Sequence, residues 1–395
     1  MTPNPMAPGG CWPTPTQELL LRAALLEGKD AVTSWREWQA RTDIEHLDYS
    51  SSSLLPLLLR NLEKQGVQDS HLGRYKSVSR HHWMQNQLLF EAAKHLIQLL
   101  ENEGIPTLVL KGGALIPLYY PKVSMRPMGN FEVLVPTSEA ARAFKFLLTR
   151  GYRLKGWNGS SSPPDRAFSV FHSYPFYQQK EGSTDIRYFD VHQHVFSQTF
   201  APNADDEFWN AAVPLQIEGV SAKALCPEDM LLHVCAHGIH WDAAPPLRWI
   251  ADATLILRSQ PDFDWARLIA QTRRHHVSLP TGQALKYLQR LGLGLSIPGN
   301  TLREIESIPT SRSQRREWSA LTHPTPSHPI ALKFWRRLLT YSRWNRINPA
   351  WQRPFTFPRY MQFCWGLDSI FQVPLHGLKR FYSMTISKSN KNSFD

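Results

Sequence analysis

Apolar positions recur at helical spacing through the first quarter of the chain. They predict helices over Gln17–Glu27, Thr33–Ala40, Ser53–Gln65 and His82–Asn102, the third with Leu54, Leu55, Leu57, Leu58 and Leu62 on one broad stripe. Gly104-Ile105-Pro106 ends this pattern, and the periodicity then changes. Leu108, Val109 and Leu110 form a short apolar run that stops at Lys111-Gly112-Gly113, which reads as a strand entering a glycine turn. Ala114 to Tyr120 is helical in spacing, and Asn130 to Val135 alternates as a strand does. A helix over Thr137–Arg150 follows, with Ala140, Ala141, Ala143, Phe144 and Leu147 inward. Then come a loop over Gly156–Asp165 and antiparallel strands over 167–178 and 186–196. Helical patterns return around Phe208-Trp209, after Cys226-Pro227-Glu228-Asp229, and over Leu247–Leu257, Trp265–His275 and Thr281–Leu291. The expected organisation is a proline-rich loose arm at 1–16, a helical region at 17–103, an α/β core at 104–200, a helical region at 201–300 and a basic, aromatic-rich region at 301–395. The fold class is therefore α+β, a mixed sheet with flanking helical regions.

Composition changes this picture in two ways. With 42% hydrophobic and 19% charged residues, 395 residues can bury more than one core, and no apolar run approaches the roughly 18 residues of a membrane span. The N-terminus lacks a basic-then-apolar leader pattern, and Cys11, Cys226, Cys235 and Cys364 are too scattered for a disulfide framework, so a soluble, cytoplasmic protein is expected. The net charge of +11 is uneven, since residues 301–395 carry 15 Lys or Arg against 5 Asp or Glu. That region, interleaved with Trp335, Trp344, Trp351, Phe355 and Phe357, is able to meet nucleic acid, an acidic partner or an anionic membrane surface; the plainer reading is a solvated helical face packed on its aromatic side.

The most specific chemistry lies between Leu108 and Val135. Amides at the start of the helix after Gly112-Gly113 can receive a phosphate, with Lys111 a point charge beside them. Asn130 and Glu132, two apart on a strand, share a face and can hold a hard divalent ion, although only one of them is anionic. The order strand, Lys111-Gly112-Gly113, helix, then Arg126-Pro127-Met128-Gly129-Asn130-Phe131-Glu132-Val133-Leu134-Val135 resembles the uncharacterised nucleotidyltransferase family of the polymerase-β-like superfamily, whose motif reads K-G-x-x-L and then R-P-M-G-D-h-D-h-L-V. The resemblance spans about residues 45–255 and includes P-E-D-x-L-L-h-x-x-x-H at Pro227–His237 and L-R-W-h-x-D at Leu247–Asp252. It implies that Lys111, Gly112, Gly113 and Arg126 lie on the nucleotide side and that Asn130 and Glu132 occupy the metal-binding pair, with Asn130 a departure from the usual Asp. It further implies a third carboxylate, Asp190, as metal ligand or general base, and His192 and His237 as possible substrate contacts. Asp185 falls on the opposite face of a regular strand from Asp190.

The expected activity is transfer of a nucleotidyl group from an NTP, with ATP the expected nucleotide and Mg²⁺ or Mn²⁺ the cofactor, to a small-molecule, sugar, peptide or protein acceptor. The alternative is a catalytically degenerate member of the fold acting as a nucleotide- or partner-binding scaffold, since Asn130 brings no charge. A third reading makes Asp190, His192 and His194 alternate strand ligands of a metal-dependent hydrolase. His233, His237 and His240 lie at helical spacing and suit packing or substrate contact better than zinc, while Arg248 and Asp252, four apart, suit a helix ion pair.

Overall fold

The structure, a computed structural model, describes residues 9–155, 170–179, 186–323, 337–343, 345, 351 and 353–389. The expected Gly156–Asp165 loop, Asp185, Trp335 and Trp344 lie outside the described residues. The chain divides into two compact units, one made of Met1–Leu134 with Asp205–Pro324 and the other of Val135–Ala204 with Thr325–Asp395. The α/β segment expected over 104–200 is thus shared between them.

In the first unit the N-terminal helices form as expected, at Pro15–Leu25, Gly28–Ala40, Leu55–Lys64 and Leu72–Asn102. The last starts ten residues before the expected His82, because the polar first turns still bury Leu72 and Tyr75. Its buried face then runs Asn86, Leu89, Phe90, Ala93, Leu96, Ile97 and Leu100, a stripe at the three-and-four spacing of a helix packed on a core. The arm is not loose where it is described. Gly10 exchanges backbone hydrogen bonds with Asp242, Cys11 is buried, and Trp12 stacks on Tyr287 at 5.0 Å between ring centres. Thr14 caps the first helix through a reciprocal hydrogen bond with Gln17.

The sheet of this unit contains β1 (Leu108–Leu110), β2 (Phe131–Leu134), β6 (Val213–Ile217) and β7 (Val220–Ala224), in the order β2-β1-β7-β6. β1 runs antiparallel to β2 and parallel to β7, so the sheet is mixed. The β6–β7 hairpin lies within the expected helical region 201–300 and adds two strands to it. Its sequence carries the signal: Leu215 and Ile217 alternate inward, Glu218 and Gly219 turn with φ +45° and +82°, and Ala222 and Ala224 resume the inward face. Helices Pro227–Gly238, Arg248–Ser259, Trp265–Arg274, Ser278–Leu291, Gly299–Ser307 and Arg312–Thr322 continue the unit's helical layer.

The second unit holds β3 (Arg153–Leu154), β4 (Ser173–Gln179) and β5 (Ile186–His192), antiparallel in the order β3-β4-β5, with the helix Ala140–Thr149 burying Ala140, Ala143, Phe144 and Leu147. A small core of Val170, Tyr341, Tyr360, Met361 and Phe363 joins the C-terminal segment to it. Part of the aromatic content of 301–395 is therefore packing, as the plainer reading holds, while Trp351, Phe355 and Phe371 remain exposed. No helix among the described residues is long and apolar enough to cross a membrane.

The glycines after β1 act differently from a loop. The helix starts at Lys111 rather than at Ala114, so Gly112 and Gly113 are buried inside its first turn. A Cβ on Gly112 would stand 2.5 Å from Arg126 Nη1, and one on Gly113 2.5 Å from Phe131 Cε2 and 2.8 Å from Val109 Cγ1. Gly113→Ala should accordingly destabilise the protein by about 1–3 kcal/mol, because a rigid ring and a strand valine have to shift. Gly73→Ala, where a Cβ would meet nothing within 4 Å, should be neutral or stabilising by up to about 1 kcal/mol. Urea unfolding of both variants checks the contrast.

Candidate active site

The register of β1 and β2 sets the geometry. Leu110 pairs with Glu132, so the residue that follows Leu110 emerges beside the Glu132 carboxylate. That residue is Lys111, whose Nζ lies 3.0 Å from Oε1 and 2.7 Å from Oε2 of Glu132. Asn130 projects from the same side of the chain and donates through Nδ2 to Glu132 Oε1 at 3.3 Å. The Glu132 side chain is 7% exposed and that of Lys111 33% exposed, so the anion is inside and the cation reaches water. Lys111 has φ +44°, a left-handed backbone that glycine adopts freely and lysine does not.

The loop between the Lys111–Tyr119 helix and β2 is held from three directions. Arg126 donates through Nε and Nη2 to the two carboxylate oxygens of Asp252 at 2.7 and 2.9 Å, and Tyr120 donates its hydroxyl to Asp252 Oδ1 at 2.7 Å. Asn86 donates to the carbonyls of Val123 and Arg126 at 2.7 and 2.8 Å and accepts from the Met128 amide at 3.1 Å. Arg248 donates to the Pro127 carbonyl at 2.8 Å. Burial alone would lower the Arg126 pKa, but the adjoining Asp252 outweighs it and holds the guanidinium above its ordinary value. Burial, and then the nearby Arg126, push Arg248 down. Burial, and then Asp252, raise the Tyr120 hydroxyl well above its usual range.

Several expectations change here. Arg126 was expected on the nucleotide side, yet two of its nitrogens are engaged by a buried carboxylate, which makes it an anchor of the loop. Asp252 does not pair with Arg248 along its helix, because tertiary packing offers it the better bidentate partner. His233 is buried with its ring 4.6 Å from that of His237, whereas the helix ends at Gly238 and leaves His240 exposed beyond it, so the three do not share a helical face. Asp229, in the same segment, is fully buried and paired with Arg267 at 2.6 Å. Asn86 and Tyr120 escaped sequence reasoning; for Asn86 the signal was an amide three and four residues ahead of Leu89 and Phe90 on an apolar stripe.

In the second unit Asp190 is half-buried on β5, opposite Pro175 of β4, and His192 is buried opposite Ser173 with its ring 5.7 Å from that of His172. β5 ends at His192, and the amides of Gln193 and His194 both donate to the His172 carbonyl, at 2.9 and 3.2 Å. His194 therefore leaves the strand alternation on which the Asp190, His192, His194 hydrolase reading depended.

By chemistry, Glu132 on β2 and Asn130 just before the strand fit a hard divalent cation: Glu132 offers anionic oxygens and Asn130, with its amide turned, a carbonyl oxygen. The fit has one condition. Lys111 contacts both Glu132 oxygens, so an ion there meets the repulsion of its ammonium.

Lys111, at the start of its helix, and Glu132, on the adjacent antiparallel strand, are the centre of the candidate site. Among known families, the one described as "Uncharacterised nucleotidyltransferase" matches residues 49–292. The chain belongs to that family. A solved structure of an antigenic nucleotidyltransferase-like protein from Paracoccidioides brasiliensis is similar at 14% identity with a TM-score of 0.33, covering 60% of this chain and 97% of that one. No curated protein matches the chain.

Two stability predictions follow from these contacts. Asp252→Asn should cost about 3–5 kcal/mol, because it leaves the Arg126 guanidinium buried without its anion, and Arg126→Met combined with Asp252→Leu should recover much of the loss in chemical unfolding. The His82 imidazole, half-buried on the Leu72–Asn102 helix, is pushed down to about 4 by burial first and then by His81 and Arg248. Its folded pKa lies below the unfolded value of about 6.5, so the fold holds the neutral ring and loses stability as pH falls from about 6.5 to about 4. Unfolding free energies at pH 7.5 and 4.5 should differ by about 1–3 kcal/mol more in the native protein than in His82→Gln.

Proposed function

We propose that the protein transfers a nucleotidyl group from an NTP, ATP being the nucleotide to test first, to an acceptor hydroxyl or phosphate, with release of pyrophosphate. The observation that carries this reading is the pairing of Lys111, at the first turn of a helix, with Glu132 on the adjacent strand. The helix start and its lysine suit phosphate oxygens, and the strand suits a cation. An Mg²⁺ or Mn²⁺ ion, when bound, supplies the charge that neutralises the phosphates. Glu132 is the proposed anionic ligand, with Asn130 a weaker neutral one. Lys111 and the first-turn amides of Gly112 and Gly113 are proposed to bind phosphate oxygens. Arg126, fixed by Asp252, keeps the loop before Asn130 in register with the helix start. His237 is the residue proposed to contact the acceptor.

A second reading has a specific observation behind it. Asn130 removes one negative charge from the pair and Lys111 adds a positive one beside Glu132, so the site is closer to neutral without an ion, as in a nucleotide- or partner-binding scaffold. Calorimetric titration with ATP, with and without Mg²⁺, separates the two. Transferase function requires Mg²⁺-dependent ATP binding that Glu132→Gln abolishes. Metal-independent ATP binding that turns Mg²⁺-dependent in Asn130→Asp favours the scaffold, and no ATP binding by either protein overturns the transferase and the nucleotide-binding scaffold alike.

A further inference from the structure

We infer that Lys111 is a built-in counter-ion that competes with the divalent cation for Glu132 and is exchanged for it when nucleotide phosphate draws the ammonium away. The inference rests on the nucleotide- and metal-binding reading above, and adds to it a reason for the two ligands to bind together. Glu132 is almost wholly buried, and a buried carboxylate demands a positive partner. Lys111 meets that demand from 2.7 Å, but its side chain is one-third exposed, so it can swing to water or to a phosphate at little desolvation cost, while Glu132 cannot follow. A cation on Glu132 would stand close to the Lys111 ammonium, whose Nζ lies within hydrogen-bond distance of both oxygens, and the two like charges repel.

The backbone supports the same assignment. β1–β2 register places Leu110 opposite Glu132, and Lys111 then takes a left-handed φ of +44° immediately before two glycines that would adopt it without strain. Strain kept in a side-chain-bearing residue points to a task for that side chain. Asn130 fits as well: with a neutral amide in place of a second carboxylate, one lysine is enough to balance the charge on β2. Phosphate bound at Lys111 then weakens its hold on Glu132, and by reciprocity a cation on Glu132 frees Lys111 for phosphate.

The test is Mn²⁺ binding to the full-length protein without nucleotide, followed by the electron paramagnetic resonance signal of free Mn²⁺. Native protein is compared with Lys111→Met and Lys111→Gln, each with and without Glu132→Gln, and circular dichroism reports folding. Both lysine variants should bind Mn²⁺ at least about tenfold more tightly than native, given the strength of a charge pair at this distance, and Glu132→Gln should cancel the gain. If Glu132→Gln weakens Mn²⁺ binding by the native protein but the lysine variants bind no better than native, the metal site stands and the competition is overturned. If folded native and lysine-variant proteins all fail to bind Mn²⁺, the metal reading falls and the inference with it. A crystal structure of native protein grown with Mn²⁺ gives an answer free of substitutions: Lys111 Nζ should have left Glu132, and an ion on Glu132 with Lys111 still in place would overturn the exchange.

Discussion

Arg126 and Asp252 meet away from solvent in a bidentate pair that spans 126 residues of sequence, and the candidate site depends on it. Two charges out of water stabilise a fold only when geometry is good and the remaining donors and acceptors are met. Here Tyr120 adds a third hydrogen bond to the carboxylate, Asn86 binds the Arg126 carbonyl, and Arg248 binds the next carbonyl along. The pair fixes a loop that would otherwise be free between helix and strand. That loop delivers Asn130 and Glu132, so a structural ion pair governs the placement of a chemical one.

The chemical pair, Lys111 with Glu132, differs in kind. The Arg126–Asp252 pair is buried on both sides, whereas Lys111 reaches water and Glu132 does not. A pair buried on both sides is suited to permanence, because separating it strands two charges in low dielectric. A pair with one exposed member is suited to exchange. The glycines between them are packing residues in this scheme: Gly112 lets the helix start approach Arg126 and Met128, and Gly113 lets it approach Phe131, so the first turn lies against the strand that carries the acid.

The second unit shows how differently one motif reads in context. Asp190, His192 and His194 alternate in sequence as strand ligands would, but the strand closes at His192 and the next two amides converge on one carbonyl of His172. The basic C-terminal region likewise divides. Tyr341, Tyr360, Met361 and Phe363 serve a small core, while Phe371, Leu375 and Leu378 stay exposed on and beside the Gln372–Ser389 helix.

The sequence by itself determined the elements whose cause is local. Apolar spacing marked the N-terminal helices, the change of period at Leu108 marked β1, and alternation over Asn130–Val135 put Asn130 and Glu132 on one side. The ordered motif from Lys111 to Glu132 was enough to indicate the family. The β6–β7 hairpin was also legible, in its alternation and its Glu218-Gly219 turn, although helical surroundings masked it. Only the tertiary structure decided the partners. Asp252 had a helix-spaced arginine in Arg248 yet pairs with Arg126, because a bidentate contact across the core outweighs a single contact along a helix. Lys111 read as a phosphate ligand and sits on Glu132, because strand register, a long-range property, brings residues 111 and 132 together. Composition and periodicity report what each segment can bury; which charges then meet is set by the packing of segments far apart in the chain.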